Sequence, residues 1–247
     1  MRHYVLTRSA YGPAWDVDAN RRRLAVTTAV TVAGMAAQTN RDWEWIVALD
    51  RCDPLRAERR AAFESAGVTV SFIDVESSGN RSRAAAELYR AGWNAAIGER
   101  FESVAMTRLD DDDAFAPWAL GRVADVAVKT KDRAALVIPR GIRVWDGRMT
   151  VVRHDSNAMQ TLVTPPGDTL HVYAYGHRDV RKVAPLRKID PRLGWLWSRH
   201  EDTISGWREA DAPIHARVRD MFPIDWSVFA ASGPAPKRVV QRGRYFR

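Results

Sequence analysis

Leu109-Asp110-Asp111-Asp112-Asp113 follows, after Arg108, the run Ser103-Val104-Ala105-Met106-Thr107. Four consecutive carboxylates repel one another, so a fold needs a reason to gather them. One reason is a solvated acidic loop, where charge is screened by salt. A second follows from the flanks. A strand-like segment leads into the run, and Pro117, a suitable first residue for a helix, lies just beyond it. Open α/β sheets bind ligands in loops at the carboxyl ends of their strands. Hard carboxylate oxygens in such a loop suit Mg²⁺ or Mn²⁺, which in turn hold phosphate oxygens.

The chain on either side supports a sheet of that kind. His3-Tyr4-Val5-Leu6-Thr7 is a short strand bounded by the turn signal Tyr11-Gly12-Pro13. From Asn20, a plausible cap, to about Gln38, Leu24, Thr28, Val32 and Met35 recur at helical spacing. Trp43–Asp50 is the next strand. A helix over Arg56–Ser65 ends at Gly67, and Val68–Val75 is a third strand. The polar loop Ser77–Arg83 enters a helix with Ala85, Leu88, Tyr89, Gly92, Trp93 and Ile97 on one face. A helix near Pro117–Val128 follows the acidic run. Strand and helix thus alternate as in a mostly parallel, doubly wound sheet. No Gly-x-Gly-x-x-Gly follows the first strand and no Gly-Lys-Ser/Thr phosphate loop occurs. Both absences argue against a dehydrogenase or P-loop site.

After Arg133 the texture changes. Ala134–Pro139 reads as a strand, and Ile142–Trp145 and Met149–Val152 flank Asp146-Gly147, a strong hairpin signal. Asn157–Leu162 and the turn Pro165–Asp168 precede a further expected strand, Leu170–Tyr175. The expectation is one α/β domain over residues 1–233. Residues 1–130 form its nucleotide-binding half and 131–233 an acceptor half with antiparallel additions, followed by a basic tail, 234–247.

Composition narrows the class. With 46% hydrophobic and 28% charged residues the chain is ordinary for a soluble globular protein. It has no run long enough for a transmembrane segment, and its first residues read as a strand rather than a signal peptide. The single Cys52 leaves no internal disulfide and no multi-cysteine zinc site. A cytoplasmic protein is the expectation. The net charge of +8 is concentrated in the tail. Lys237, Arg238, Arg242, Arg244 and Arg247 contribute five positive charges with no acid among them. Such a tail can meet an anionic partner, make a homo-oligomer contact or stay solvated.

Several residues are candidates by position. Arg8 just after the first strand could meet a donor phosphate or base. Asp50 and Asp53, beyond the second strand, could accept hydrogen bonds from a base or ribose, although Asp53 before Pro54 is also a natural helix cap. Arg81 and Arg83 at a helix N-terminus could hold a diphosphate. Downstream, Gly194–Trp207 packs Trp195, Trp197 and Trp207 with His200 and the pair Glu201-Asp202. Trp faces stack on sugars but are equally core material.

Leu-Asp-x-Asp-Asp after a strand resembles the metal-binding motif of nucleotide-sugar glycosyltransferases of the GT-A fold. Thr107–Ala114, together with Arg199–Gly206, is similar to the rhamnosyltransferase group within that fold, over about His3 to Trp226. The resemblance implies a GT-A-like α/β architecture and an inverting transferase that takes a nucleotide-diphosphate sugar. Asp110 and Asp112 would hold Mn²⁺ or Mg²⁺, with Asp113 supporting them or facing the sugar. The extra acid leaves Asp111 and Asp113 as an alternative pair. Asp202 would deprotonate the acceptor hydroxyl, with Glu201 beside it. Asp50 or Asp53 would read a pyrimidine, and Arg81 would assist the diphosphate. His200 or His215 would complete the metal set, with His171 and His177 behind them. The acceptor could be a glycan, a protein side chain, a small metabolite or a modified DNA base. Two rivals stand against this reading: a nucleic-acid-binding protein using the tail, and a metal-dependent nucleotidyl or phosphodiester enzyme.

Overall fold

The strand–helix alternation before Val128 builds one twisted sheet in the computed structural model, which describes residues 1–9, 17–76, 83–145, 147–176, 179–198 and 212–229. The first strands are β1 (Arg2–Ser9), β2 (Glu44–Asp50), β3 (Val70–Val75) and β4 (Val104–Asp110). They lie side by side and parallel, in the spatial order β3-β2-β1-β4. β1, β2 and β4 are buried along nearly their whole length, around the apolar stretches Tyr4–Leu6, Trp45–Leu49 and Val104–Met106. That is the pattern of strands covered on both faces. The sheet continues past β4 through β9 (Thr161–Thr164), antiparallel to it, then β6 (Ala134–Val137) and β10 (Leu186–Lys188). This is the expected GT-A-like α/β fold, a mostly parallel central sheet flanked by helices with antiparallel additions.

The helices cover both faces. On one side lie α1 (Val17–Val26), which continues through a π-helical stretch (Thr27–Val32) into α2 (Ala33–Ala36), with α3 (Arg56–Glu64) and α5 (Ala119–Ala127). Val32, Met35, Phe63, Leu120 and Val123 pack there on Val5, Val47 and Leu49. Trp45 and Phe63 meet edge to face at 5.0 Å. On the other side α4 (Arg83–Ile97) brings Tyr89, Trp93 and Ile97 against Leu6, Ile46 and Met106. α3 ends where expected, and Gly67 beyond it takes φ 64°, a left-handed conformation that glycine adopts without steric cost.

A second sheet carries β5 (Ala114–Phe115), β11 (Leu193–Ser198), β7 (Arg140–Trp145), β8 (Arg148–Arg153) and β12 (Ala212–Pro213), paired in the order β12-β8-β7-β11-β5. β7 and β8 form the hairpin predicted at Asp146-Gly147, with Trp145 opposite Arg148 and Gly147 at φ 69°. β5 follows the acidic run directly. The second sheet is therefore anchored to the end of β4 through three residues of chain, Asp111, Asp112 and Asp113.

Three expectations are corrected. Leu170–Tyr175 is not a strand but a chain of turns. Asp168 Oδ1 accepts from Leu170 N–H at 2.9 Å, His171 Nδ1 accepts from Tyr173 N–H at 3.1 Å, and Ala174 N–H reaches the His171 carbonyl. Its aromatic residues pack on Trp93 instead of on a pleated neighbour. Asn20 is not a cap, because it lies inside α1 and is buried. The apolar stripe Leu24–Thr28–Val32–Met35 is also off-axis. Thr28 is exposed and Leu24 only half-buried, whereas Asn20, Arg23, Thr27, Thr31 and Gln38 are buried. The helix turns a polar face inward, for a reason found at the end of β4.

Candidate functional site

β4 leaves the sheet at Asp110, which stands in register with Arg8 of β1. The backbone then folds back, with Asp113 N–H donating to the Asp110 carbonyl at 3.2 Å. This turn sends the four carboxylates into four different environments.

Asp110 is the most open, its side chain 26% exposed, and lies 3.2 Å from the Arg108 guanidinium. Burial alone would raise its pKa. The neighbouring Arg108, Arg8 and Arg23 outweigh that and hold it below the usual carboxylate range. Arg108 is itself fixed over the Tyr173 ring at 4.6 Å. Asp111 points inward and is fully buried. It accepts from Arg23 Nη2 at 2.5 Å and Nε at 3.2 Å, and from Ser9 Oγ at 2.7 Å. Here too burial opposes ionisation, and Arg23, Arg59 and the Ser9 hydroxyl reverse it. Asp112 meets the other arm of the same guanidinium, Arg23 Nη1, at 3.0 Å. Asp113 is fully buried. Its Oδ1 accepts from Ser198 N–H at 3.0 Å, while its Oδ2 has no hydrogen-bond partner among the described residues. Burial, then the charges of Asp112 and Asp110, push its carboxyl well above the usual range.

The polar face of the first helix is what holds this loop. Arg23 bridges Asp111 and Asp112. One turn into the π-helical stretch, Thr31 Oγ1 donates to the Asp113 carbonyl at 2.9 Å. Gln38 Nε2 reaches the carbonyls of Phe115 and Ala116, and its Oε1 accepts from Leu120 N–H. Gly34 permits the approach, since a Cβ there would lie 2.9 Å from that of Ala114. π-helical stretches are rare and often occur beside functional sites. Behind Asp111 the network continues. Ser9 Oγ accepts from Arg59 at 3.4 Å, and Arg59 Nε donates to Asp53 at 2.6 Å, with Arg59 and Asp53 both buried. Arg23, Ser9, Arg59, Arg108, Thr31 and Gln38 were all missed in the sequence. A helix that buries an Arg and two Thr leaves no apolar periodicity to detect.

The other candidates scatter. Arg8 lies beside Asp110 and over the Tyr89 ring at 5.7 Å, next to the acidic loop. Asp50 is buried, with Oδ1 accepting from Cys52 N–H at 2.9 Å. Asp53 is engaged by Arg59 and by Leu55 N–H, so a nucleotide base would have to displace Arg59 to reach it. His215 is exposed and caps α6 (Ala216–Met221) through Nδ1, which accepts from Arg217 N–H. His171 is buried against Trp93, 5.5 Å between ring centroids. Trp195 is a core residue, fully buried with Nε1 donating to the Ile138 carbonyl at 2.8 Å. Arg81, His177, His200, Glu201, Asp202, Trp207 and the tail 234–247 lie outside the described residues.

Among the described residues no group of three His, Cys, Asp or Glu side chains forms a metal-ligand set. The carboxylates that could hold a divalent cation are Asp110 and Asp112, which flank the inward-turned Asp111. Their hard oxygens suit such a cation, whereas Asp113 is buried and its carboxyl is pushed toward the neutral form by burial and by Asp112 and Asp110.

The chain matches one family model, described as "Putative rhamnosyl transferase", over residues 15–211. No curated protein matches it. Among solved structures it is similar to TarS 1–349 of S. aureus, at TM-score 0.48 and 11% identity over 80% of this chain. It spans 60% of that chain. It is also similar to a putative nucleotide-diphospho-sugar transferase of Desulfovibrio desulfuricans G20, at TM-score 0.40 and 9% identity over 81% of this chain and 80% of that one. HddC of Yersinia pseudotuberculosis matches at TM-score 0.31 and 11% identity over 81% and 90% of the two chains.

Proposed function

We propose a function from one premise: the chain belongs to the "Putative rhamnosyl transferase" family, and its acidic loop suits transfer of a sugar from a nucleotide-diphosphate donor to an acceptor hydroxyl. The observation that carries this reading is the placement of Asp110, partly open, and Asp112, buried against Arg23, at the carboxyl end of the central strand beside Arg8. Departure of a nucleoside diphosphate builds negative charge, and catalysis requires positive charge placed there in advance. Mn²⁺ or Mg²⁺ held by Asp110 and Asp112 would supply Lewis-acid stabilisation of that charge.

The chain's own residues do the rest. Arg8 stands on the strand next to Asp110, where it can meet a phosphate oxygen, and Arg81 assists at the diphosphate. Arg23 fixes Asp112 and absorbs the charge of Asp111, so the loop keeps its shape whether or not a donor is bound. Asp202, with Glu201 beside it, takes the acceptor proton as the acceptor oxygen attacks the anomeric carbon from the side opposite the leaving group. That geometry gives inversion. His200, or His215 through Nε2, would complete the cation's ligands. The donor sugar and base are left to experiment, because family membership does not fix them.

The test is a thermal-shift screen of UDP, GDP, dTDP and their sugars, each with and without Mn²⁺. Ligands that bind the native state alone raise its melting temperature. The expected result is stabilisation by one nucleotide class that requires metal and vanishes in Asp112→Ala. Asp202→Asn should keep the nucleotide shift and lose turnover. No nucleotide shift, together with salt-sensitive binding to DNA or RNA, would overturn the reading.

A further inference from the structure

A groove of about 590 Å³ runs along α4, on the side where the turns of residues 168–175 pack. Its size is that of a small-molecule site. α4 contributes Glu87, Arg90, Ala91 and Asn94, and the facing wall contributes Arg133, Asp168, Leu170, His171, Ala174 and Tyr175. None of these residues belongs to the acidic loop.

The chemistry of the lining limits the occupant. Two guanidiniums face two carboxylates, and they are matched to each other. Arg133 Nε lies 2.7 Å from Asp168 Oδ2, and Arg90 lies 3.4 Å from Glu87. A third guanidinium, Arg100, is given over to the carbonyls of Asp168 and Leu170 and to Asn94 Oδ1. The lining therefore carries no surplus charge for an anion to neutralise. It is nonetheless rich in donors and acceptors, interleaved with the apolar surfaces of Ala91, Leu170, Ala174 and the Tyr175 ring. His171 forms part of the floor, 2% exposed, with its Nδ1 accepting from Tyr173 N–H.

We propose that this groove is a second carbohydrate subsite. It takes a neutral, polyhydroxylated ligand whose hydroxyls meet the Arg90, Asn94 and Asp168 side chains, with the ring's C–H face on Tyr175. The groove also connects physically to the acidic loop. His171 stacks on Trp93, Trp93 stacks on Tyr173 at 4.6 Å, and Tyr173 carries Arg108, which holds Asp110. Resting on the transferase reading, the ligand is an outlying unit of an acceptor glycan, bound apart from the sugar being extended.

The test is capture of the fluorescently labelled full chain on an array of neutral, phosphorylated and sulfated glycans. Wild type should bind neutral glycans. Asn94→Trp, which fills the groove from an exposed helix position, should weaken that binding at least tenfold, and Arg90→Ala several-fold. Both variants should keep the metal-dependent nucleotide shift. Asp112→Ala should lose that shift and keep glycan capture. Failure to bind any neutral glycan would overturn the proposal, as would capture that Asn94→Trp leaves intact or binding confined to phosphorylated and sulfated glycans. Glycan capture without any nucleotide shift would leave the groove standing and remove the transferase reading instead.

Discussion

Arg23→Met tests whether the first helix holds the acidic loop. Arg23 is 3% exposed and places three N–H groups on two carboxylates: Nη2 and Nε on Asp111, and Nη1 on Asp112. Methionine keeps much of the volume and removes the charge. Asp111, fully buried, then loses its nearest cation and keeps the Ser9 hydroxyl and the more distant Arg59 among the interactions that favour its ionised form. Removing one partner of a buried ion pair costs about 3–5 kcal/mol, because the remaining charge is left uncompensated. For a chain of this size each kcal/mol lowers the melting temperature by about 2–4 °C, so the expected loss is roughly 6–20 °C. A partial rescue separates this cause from simple repacking. Asp111→Asn deletes the stranded charge while keeping an acceptor for Ser9. The double variant should therefore melt higher than Arg23→Met alone, with a coupling of at least about 1 kcal/mol in the cycle. Melting curves and urea titrations of the four proteins provide the check. A single-variant loss below 2 °C, or strictly additive losses, would refute the clamp.

Acid should weaken the fold through its buried histidines. His3 bonds Thr107 Oγ1 through Nε2 at 2.7 Å, and burial holds its pKa down at about 4, with His171 held at about 3. A folded-state pKa below the unfolded value of 6.5 means full stability above 6.5, lost as pH falls toward the folded value. At pH 5 the His3 contribution to that loss is about 2 kcal/mol. Urea midpoints at pH 7.5 and 5.0 should differ accordingly, and His3→Gln should shrink the difference; an unchanged difference would place the acid response elsewhere. Gly141→Ala should be poorly tolerated. The new Cβ would lie 2.0 Å from the Trp195 ring in the middle of the second sheet, and forced overpacking costs about 1–3 kcal/mol or more. A melting temperature within 2 °C of wild type would show that β7 and β11 can separate at little cost.

What could be read in the sequence divides along the line between burial by apolarity and burial by charge. β1, β2 and β4 carry short apolar, β-rich stretches and were legible as strands of a mostly parallel sheet, as was the β7–β8 hairpin with its Asp-Gly turn. The acidic loop was legible as well, because four adjacent carboxylates are conspicuous wherever they sit. Leu170–Tyr175 was misread because His171, Tyr173 and Tyr175 alternate like a strand, while the side-chain turns at Asp168 and His171 redirect the backbone. The platform beneath the acidic loop was invisible. Its helix buries Asn20, Arg23, Thr27, Thr31 and Gln38, and a search for apolar periodicity discards those residues as surface.

That blind spot has a physical cause. A loop that concentrates negative charge needs donors aimed at it from a rigid element, and on a helix those donors must occupy the inward stripe that apolar residues would otherwise fill. Arg23, Thr31 and Gln38 occupy that stripe here, and they serve three successive parts of one loop: the Asp111 and Asp112 carboxylates, the Asp113 carbonyl, and the start of β5 and α5. Asp111 is thereby committed to structure. Asp110 is the most exposed of the four, its side chain 26% open, whereas Asp112 is buried beside Arg23 Nη1. The acidic run is thus divided by environment: Asp111 anchors the turn, Asp112 and Asp113 are buried beside it, and Asp110 stays the most open. If so, Asp111→Asn should lower stability more than it lowers nucleotide affinity, and Asp110→Asn should do the reverse; equal effects of the two substitutions on both quantities would dissolve that division.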